Sequence, residues 1–418
     1  MPKASKPLRT RNRSGSRASF GPRTRSSTRV QVAEPGVDAA VLIIAGGRGT
    51  RFWPESRVNR PKPLFSIDGK TSLLADTVRR MEPLIARERV FILAAAEQAP
   101  LFRPVLKNLI PRRNVIVEPE GRGTAVAIAY GTGVIAQRLG DQAVIAVMPA
   151  DHYVAPATAF QRTLGEAILL AAGYASIVVI GVKPSRPEIG YGYLKVGAAV
   201  SLAHTCGSET LARSIAGKGQ GKRSERAGDS PRRPGSFKLD RFVEKPAPAA
   251  ASKMVNSGKY LWNAGMFVMR AATLAAELEQ HAPLLGEAMR ALPTMSPAKL
   301  DRQYRTLEFD AFDRVVAEKS TNVLGVHADF TWHDVGSWDG LWEALRGHGR
   351  NVLSGNVLEI GADGVLARAR DRLMVLLGVK DLVAIETPDV ILIANRTQSQ
   401  DVRRIIDELK RRGADRYL

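Results

Sequence analysis

Cysteine is almost missing from this 418-residue chain: Cys206 stands alone, so no disulfide can close within it, which fits a reducing cytoplasm. Long apolar runs are missing as well. Nothing approaches the ~18 consecutive apolar residues that cross a bilayer, and no apolar segment follows the basic start. Transmembrane and ordinary secretory readings therefore fail. Acidic residues are in deficit, 41 Asp and Glu against 61 Lys and Arg, a formal charge of +20. Six histidines with no close His–His spacing give no zinc site, and Cys206 has no base near it in sequence to make it a nucleophile.

What is present is the apolar fraction of a globular protein, 44%, over a length that suits two or three domains. The charge is unevenly spread. Residues 1–40 hold nine basic and two acidic residues, and 206–238 hold eight and three, so 12 of the 20 excess charges fall in two Ser/Gly/Pro/Arg-rich stretches. Both read as solvated disorder, which makes a nucleic-acid partner a poor explanation of the charge. The acid-poor start imitates an organelle transit peptide but lacks an amphipathic apolar face.

From residue 39 the texture becomes that of a folded domain. Val41-Leu42-Ile43-Ile44-Ala45, ended by Gly46-Gly47, reads as a strand buried on both faces. Ser72 caps a helix running to about Leu84. Strands are expected at Val90–Ala94, Asn114–Val117, Val144–Met148 and Ile177–Val182, with helices over 98–108, 124–138 and 159–172 between them. That alternation predicts an α/β fold with a doubly wound, mainly parallel Rossmann-like sheet, whose ligands lie beyond the carboxyl ends of the strands. The expected division is a basic tail 1–38, a catalytic domain 39–348 carrying the basic insertion 206–238, and a small β-rich domain 349–418. The short strands of that last domain, Val352–Ile360 to Val390–Ala394, could be rungs of a small β-helix, and a helix over 400–412 closes it.

The run Ala45-Gly46-Gly47-Arg48-Gly49-Thr50-Arg51 follows the first strand directly. Glycines let backbone N–H groups approach a phosphate chain, and Arg51 adds a fork-shaped cation. The run is neither a Rossmann fingerprint, since Phe52 stands at the third glycine position, nor a Walker A loop. A tight strand-to-loop turn is the plainer alternative. Against it, Arg51, Arg57, Arg60 and Lys62 lie within twelve residues pinned by Pro54, Pro61 and Pro63, a rigidity that a solvated loop does not need. Asp151 ends an apolar strand where a carboxylate can face a ligand; a turn or helix cap is the alternative. Asp334 lies in the aromatic loop Trp332–Trp338, with a turn-forming aspartate as the alternative. Two such carboxylates can share one Mg²⁺, which takes one or two protein ligands plus phosphates and water.

The stretch Ala45–Lys62 resembles the signature of the sugar-nucleotide pyrophosphorylases, and within them the mannose-1-phosphate guanylyltransferases. Later segments continue the resemblance in order: Glu118–Ala125, Met148–His152, Gly190–Tyr193, Phe242–Pro246, Trp262–Phe267 and Trp332–Trp338, together covering about residues 41–345. The resemblance implies GTP and mannose 1-phosphate as substrates, with GDP-mannose and pyrophosphate as products. It puts Ala45, Gly46, Gly47, Gly49, Thr50, Arg122 and Thr124 on the nucleotide and Gly192, Glu244 and Asn263 on the sugar. Arg51, Lys62 and Lys245 fall on the phosphates, and Asp151 and Asp334 on Mg²⁺. Such a reaction needs aligned phosphates and neutralised charge without a covalent intermediate. A homodimer is compatible with all of this, and a membrane is not expected. Two departures stand out. Gly123 and Val126 replace the family's usual asparagine and proline on the base side, and Pro63 replaces the glutamine after the proline–lysine pair. Rival readings are another NTP and hexose 1-phosphate pair, a regulatory paralogue that binds nucleotide sugar without turnover, and a polyanion binder acting through the basic segments.

Overall fold

The computed structural model describes residues 37–47, 49–82, 84–201 and 235–418. Expectations for residues 1–36 and for 206–234, Cys206 included, lie outside these. At its far end the expected insertion is shorter than 206–238, because Ser236–Lys238 already belong to a strand that pairs in the main sheet.

That sheet has nine strands. In chain order they are β1 (Ala39–Ile44), β2 (Val90–Ala95), β3 (Val115–Glu118), β4 (Val144–Pro149), then, after the short β5 (Tyr153–Ala155) that lies outside it, β6 (Ile177–Val182), β7 (Gly192–Val200), β8 (Ser236–Glu244), β9 (Tyr260–Arg270) and β10 (Val323–His327). Their spatial order is β3-β2-β1-β4-β9-β6-β10-β8-β7. The pairing directions make seven of them run one way, with β8 and β9 against them. β9 wedges antiparallel between β4 and β6, which carries Asn263 into the middle of the sheet.

The apolar run of β1 is explained by burial on both faces. Val41 and Ile43 feed one core layer, where they meet Leu74 and Val78 of α1 (Leu73–Met81), Phe102 of α2 (Ala99–Leu106) and Phe160. Ala40 and Leu42 feed the other, against Val126 and Ile128 of α3 (Thr124–Leu139) and Leu274 and Leu285. Phe160 belongs to α4 (Ala157–Tyr174) on the first face. Ser72 caps α1 as expected, its hydroxyl accepting the Ala75 N–H at 3.3 Å.

β11 (Thr331–His333) pairs antiparallel with β5 and leads into Asp334. Beyond it lie six short strands: β12 (Val352–Ser354), β13 (Val357–Ile360), β14 (Leu366–Arg368), β15 (Met374–Leu377), β16 (Leu382–Glu386) and β17 (Ile391–Asn395). β12, β14 and β16 stack in parallel, β13 and β15 do the same, and β17 turns back on β16. Two parallel stacks fed alternately by one chain are the rungs of a small β-helix. Its inside is narrow, filled by Ala362, Val365, Ala367, Leu376 and Ala384.

The β-helix is seated on the segment that follows the glycine loop. Phe52, Trp53 and Phe65 share one buried cluster with Trp338, Leu366, Ile385 and Val402. The Phe52 and Trp338 rings stand 4.9 Å apart edge to face, and Trp53 donates its indole N–H to the Tyr417 carbonyl at 2.7 Å. Arg57 grips Asp389 with two bonds of 2.7 Å, and Arg368 reaches Glu55 at 2.8 Å and the Ile67 carbonyl at 2.7 Å.

Candidate active site

The loop leaving β1 begins with a buried residue. Ala45 gives its N–H to the Leu93 carbonyl at 2.8 Å, so it supports the loop and offers no donor to a ligand. Gly47 and Gly49 then take φ of +94° and +58°, a region where side chains are strained. Gly49 is constrained a second way, because a methyl group there would stand 2.3 Å from Lys62 Cβ. Thr50 and Arg51 start the short helical turn Thr50–Phe52 that follows. Arg51 forms no ion pair among the described residues, whereas Arg57 is turned away from the loop toward Asp389.

Lys62 is the junction of the site. Its buried ammonium meets Asp151 Oδ2 at 2.8 Å and donates to the Asp334 backbone carbonyl at 2.8 Å. The residues come from the loop after β1, the end of β4 and the loop after β11, so segments more than 270 positions apart converge on one amine. Burial works to raise the Asp151 carboxyl, yet the Lys62 charge beside it holds it below the usual range. Asp334 uses one carboxylate oxygen, Oδ1, to accept from Tyr191 O–H at 2.7 Å and Gly336 N–H at 3.2 Å. Burial and Asp334 both push the Tyr191 phenol upward, so it remains a donor.

These two carboxylates suit a hard divalent cation. Each engages its neighbours through one oxygen, leaving the second for another partner. His152 is excluded as a ligand through Nδ1, which accepts the Trp332 indole N–H at 3.0 Å. Burial drives its imidazole down to about 4, against the pull of Asp151, so it is neutral near pH 7. No cluster of three or more ligating side chains occurs among the described residues, so Asp151 and Asp334 are the carboxylates that could hold a divalent cation at this junction.

The segments expected to meet nucleotide and sugar lie toward opposite ends of the main sheet, Glu118 ending β3 and Gly192 and Glu244 on β7 and β8. A cleft of about 660 Å³ opens between Gly46-Gly47 and Glu118–Arg122. Arg122 lines it, paired with Glu120 at 2.5 Å. Thr124 opens α3, but its hydroxyl accepts the Phe312 N–H at 3.0 Å and thus ties two segments together. Two further residues of the cleft were not singled out from the sequence. Gln98 is buried, donates to the Gly47 carbonyl at 3.3 Å and leaves Oε1 with no partner among the described residues. Glu118 accepts the Tyr304 hydroxyl, and burial raises its carboxyl to about 7 although that bond works the other way. Glu118 ends β3 and Gln98 follows β2 by three residues, but the burial that marks both is shown by no local sequence pattern.

On the sugar side, strand register brings Gly192 directly opposite Glu244. A side chain at Gly192 would come within 2.7 Å of Glu244 Oε2, so glycine is what admits that carboxylate. Lys245, half-exposed with φ +47°, reaches back to Glu244 at 2.9 Å. Asn263 lies buried on β9, one residue from Trp262, which pairs with Tyr193 of β7. Lys62, Asp151 and Asp334 thus meet, as do Gly192, Glu244 and Lys245, while Ala45, Thr124 and Arg57 make contacts within the fold.

Comparison with known proteins identifies the family. A family model described as Nucleotidyl transferase, whose members generally use a divalent metal, matches residues 40–350. A second, the MannoseP isomerase/GMP-like beta-helix domain, matches 355–409. An Escherichia coli mannose-1-phosphate guanylyltransferase is 33% identical over 390 residues, covering 90% of this chain and 75% of its own. The xanthan biosynthesis protein XanB of Xanthomonas campestris is 31% identical over 386 residues, 90% and 74% of the two chains. A Thermus thermophilus crystal structure described as a mannose-1-phosphate geranyltransferase has a TM-score of 0.75 at 29% identity, over 90% of this chain and 100% of that one. The chain belongs to the nucleotidyl transferase family, with a GMP-like β-helix domain following its α/β sheet.

Proposed function

We propose that the chain transfers a guanylyl group from GTP to mannose 1-phosphate, giving GDP-mannose and pyrophosphate. The observation that carries this reading is the junction of Lys62, Asp151 and Asp334, flanked by a glycine-loop cleft and by the paired strands that carry Gly192 and Glu244. The relatives' names favour this substrate pair. The carboxylates of Glu97 and Glu120 line the cleft, and guanine presents such acceptors with a ring N–H beside an amino group where adenine presents an amino group only.

Mannose 1-phosphate supplies its own anionic nucleophile, so the protein's task is alignment and charge neutralisation. Gly46, Gly47 and Gly49 let the loop backbone approach the triphosphate, where Arg51 adds a cation. Lys245 holds the sugar phosphate and Lys62 the phosphates at the reaction centre, while Glu244 and Asn263 bond sugar hydroxyls. Asp151 and Asp334 would hold a Mg²⁺ ion, which when bound supplies Lewis-acid neutralisation of the phosphate charge. Among the described residues no helix is long and apolar enough to cross a membrane.

The test is pyrophosphate release across four NTPs and several hexose 1-phosphates, with and without Mg²⁺. GTP with mannose 1-phosphate should give the highest kcat/KM and depend on the metal. Preference for ATP or UTP would overturn the guanylyl assignment alone, and silence with every pair would overturn the enzyme.

A further inference from the structure

Asp313 lies outside every motif that the sequence displays, yet it reaches the sugar wall. It opens a π-helical turn, Asp313–Ala317, a rare local geometry that recurs at functional sites. The turn is held from both sides: the Phe312 N–H goes to Thr124 at 3.0 Å, and the Phe312 ring packs edge to face on Phe267 at 4.8 Å. From there Asp313 Oδ1 accepts a hydrogen bond from Asn263 Nδ2 at 2.8 Å. The other end of the same amide, Asn263 Oδ1, accepts the Gly265 N–H at 3.1 Å.

An asparagine amide is ambiguous, because rotating it by half a turn exchanges donor and acceptor. Asp313 and the Gly265 N–H remove the ambiguity together, one at each end of the amide. An ionised carboxylate only accepts, so the nitrogen end must face it, while the Gly265 N–H requires the oxygen end to face the backbone. One N–H and one lone pair of Asn263 are left over, in a fixed order. Burial, then the neighbouring Glu244 carboxylate, raise Asp313 to about 6, so it is ionised in most molecules at pH 7 and acts as an acceptor there.

We propose that Asp313 is the positioning residue of the hexose subsite, fixing the Asn263 amide so that it reads the orientation of a sugar hydroxyl and thereby discriminates between epimeric hexose 1-phosphates. The inference rests on the sugar-phosphate reading above and goes beyond it by naming a selectivity device outside the sugar motifs. Asp313→Asn is the informative change, since an amide there can bond Asn263 in either orientation and conserves size, leaving the Gly265 N–H alone to hold the order.

The experiment measures KM for GTP and for mannose 1-phosphate and glucose 1-phosphate, together with kcat, in wild type, Asp313→Asn, Asp313→Ala, Asn263→Ala and the Asp313→Ala/Asn263→Ala double variant. In both Asp313 variants KM for mannose 1-phosphate should rise roughly 10-fold, and selectivity over glucose 1-phosphate should fall by a similar factor. KM for GTP should stay within about 2-fold. Because Asp313 acts through Asn263, the double variant should be no worse than Asn263→Ala alone. Unchanged sugar KM and selectivity in Asp313→Asn, a GTP KM that rises in step, or additive penalties in the double variant would each overturn the proposal. Should Asp313→Ala fail to fold, Asp313→Asn with a wild-type melting temperature carries the kinetic comparison. A wild type inert toward every hexose 1-phosphate would overturn the functional reading and this inference with it, whereas an active wild type with indifferent Asp313 variants overturns this inference alone.

Discussion

Gly49→Ala puts a methyl group where the backbone of Lys62 already is. The added carbon would lie 2.3 Å from Lys62 Cβ and 3.1 Å from its Cα and N, all atoms close to the chain that cannot swing aside. Position 49 also has φ +58°, which costs an L-residue roughly 1–2 kcal/mol. Relieving the overlap by shifting backbone adds ~1–3 kcal/mol, as overpacking does elsewhere. The sum is a destabilisation of roughly 2–5 kcal/mol. The lesion is also directional, because the atoms that must move carry the ammonium bonded to Asp151 and Asp334. A misplacement of about 1 Å there should lower kcat/KM by ~10²-fold. Urea unfolding and pyrophosphate release measure the two effects. Gly46→Ala is the stability control, since a methyl group at 46 meets nothing within 4 Å and should shift unfolding by less than ~0.5 kcal/mol. If Gly49→Ala unfolds with Gly46→Ala and wild type, and its kcat/KM falls less than ~3-fold, the packing of the loop on Lys62 is wrong.

Asp151→Asn and Asp334→Asn should each reduce turnover by at least ~10²-fold through lost metal binding, and near-normal rates in the pyrophosphate assay would refute the pair as ligands. Glu118 keeps a proton in the folded state up to about pH 7 that the unfolded chain gives up near 4.5. Stability should therefore fall as pH rises through that window, by an amount on the order of 3 kcal/mol. Glu118→Gln should flatten the dependence in urea titrations; an unchanged slope would place its ionisation elsewhere. Asp389 behaves in the opposite sense: the Arg57 bonds hold its carboxyl down to about 2 from an ordinary 3.8. The stability it contributes is complete above about pH 3.8 and lost as pH falls toward 2. Asp389→Asn should remove that acid-side loss, measurable as melting temperature against pH.

The sheet was legible because a strand buried on both faces and a half-buried helix leave different apolar spacings. β1, β2, β3, β4, β6 and α1–α4 lie within a few residues of where periodicity put them, and Ser72 caps as its hydroxyl predicts, whereas β7–β10 fall where the alternation breaks down and were not legible. The convergence of Lys62, Asp151 and Asp334 was legible only as a resemblance, since no local rule joins residues so far apart. Arg57 shows the limit most clearly. As sequence it is one more cation near a phosphate loop, and as structure it is the partner of Asp389, 332 positions away. Gln98 and Asp313 were invisible for a related reason: a polar residue looks solvated until its neighbours are known.

The bond from Trp53 to the Tyr417 carbonyl spans 364 positions. Contacts of such separation close late, because the intervening chain must be ordered first. On a ribosome, the segment between Gly49 and Lys62 cannot receive this tie until the region around Tyr417 has been made. A nascent chain could complete its nine-stranded sheet and still hold Lys62 on an unbraced loop. The segment between Gly49 and Lys62 is therefore braced last, once the distal part of the chain has folded onto it.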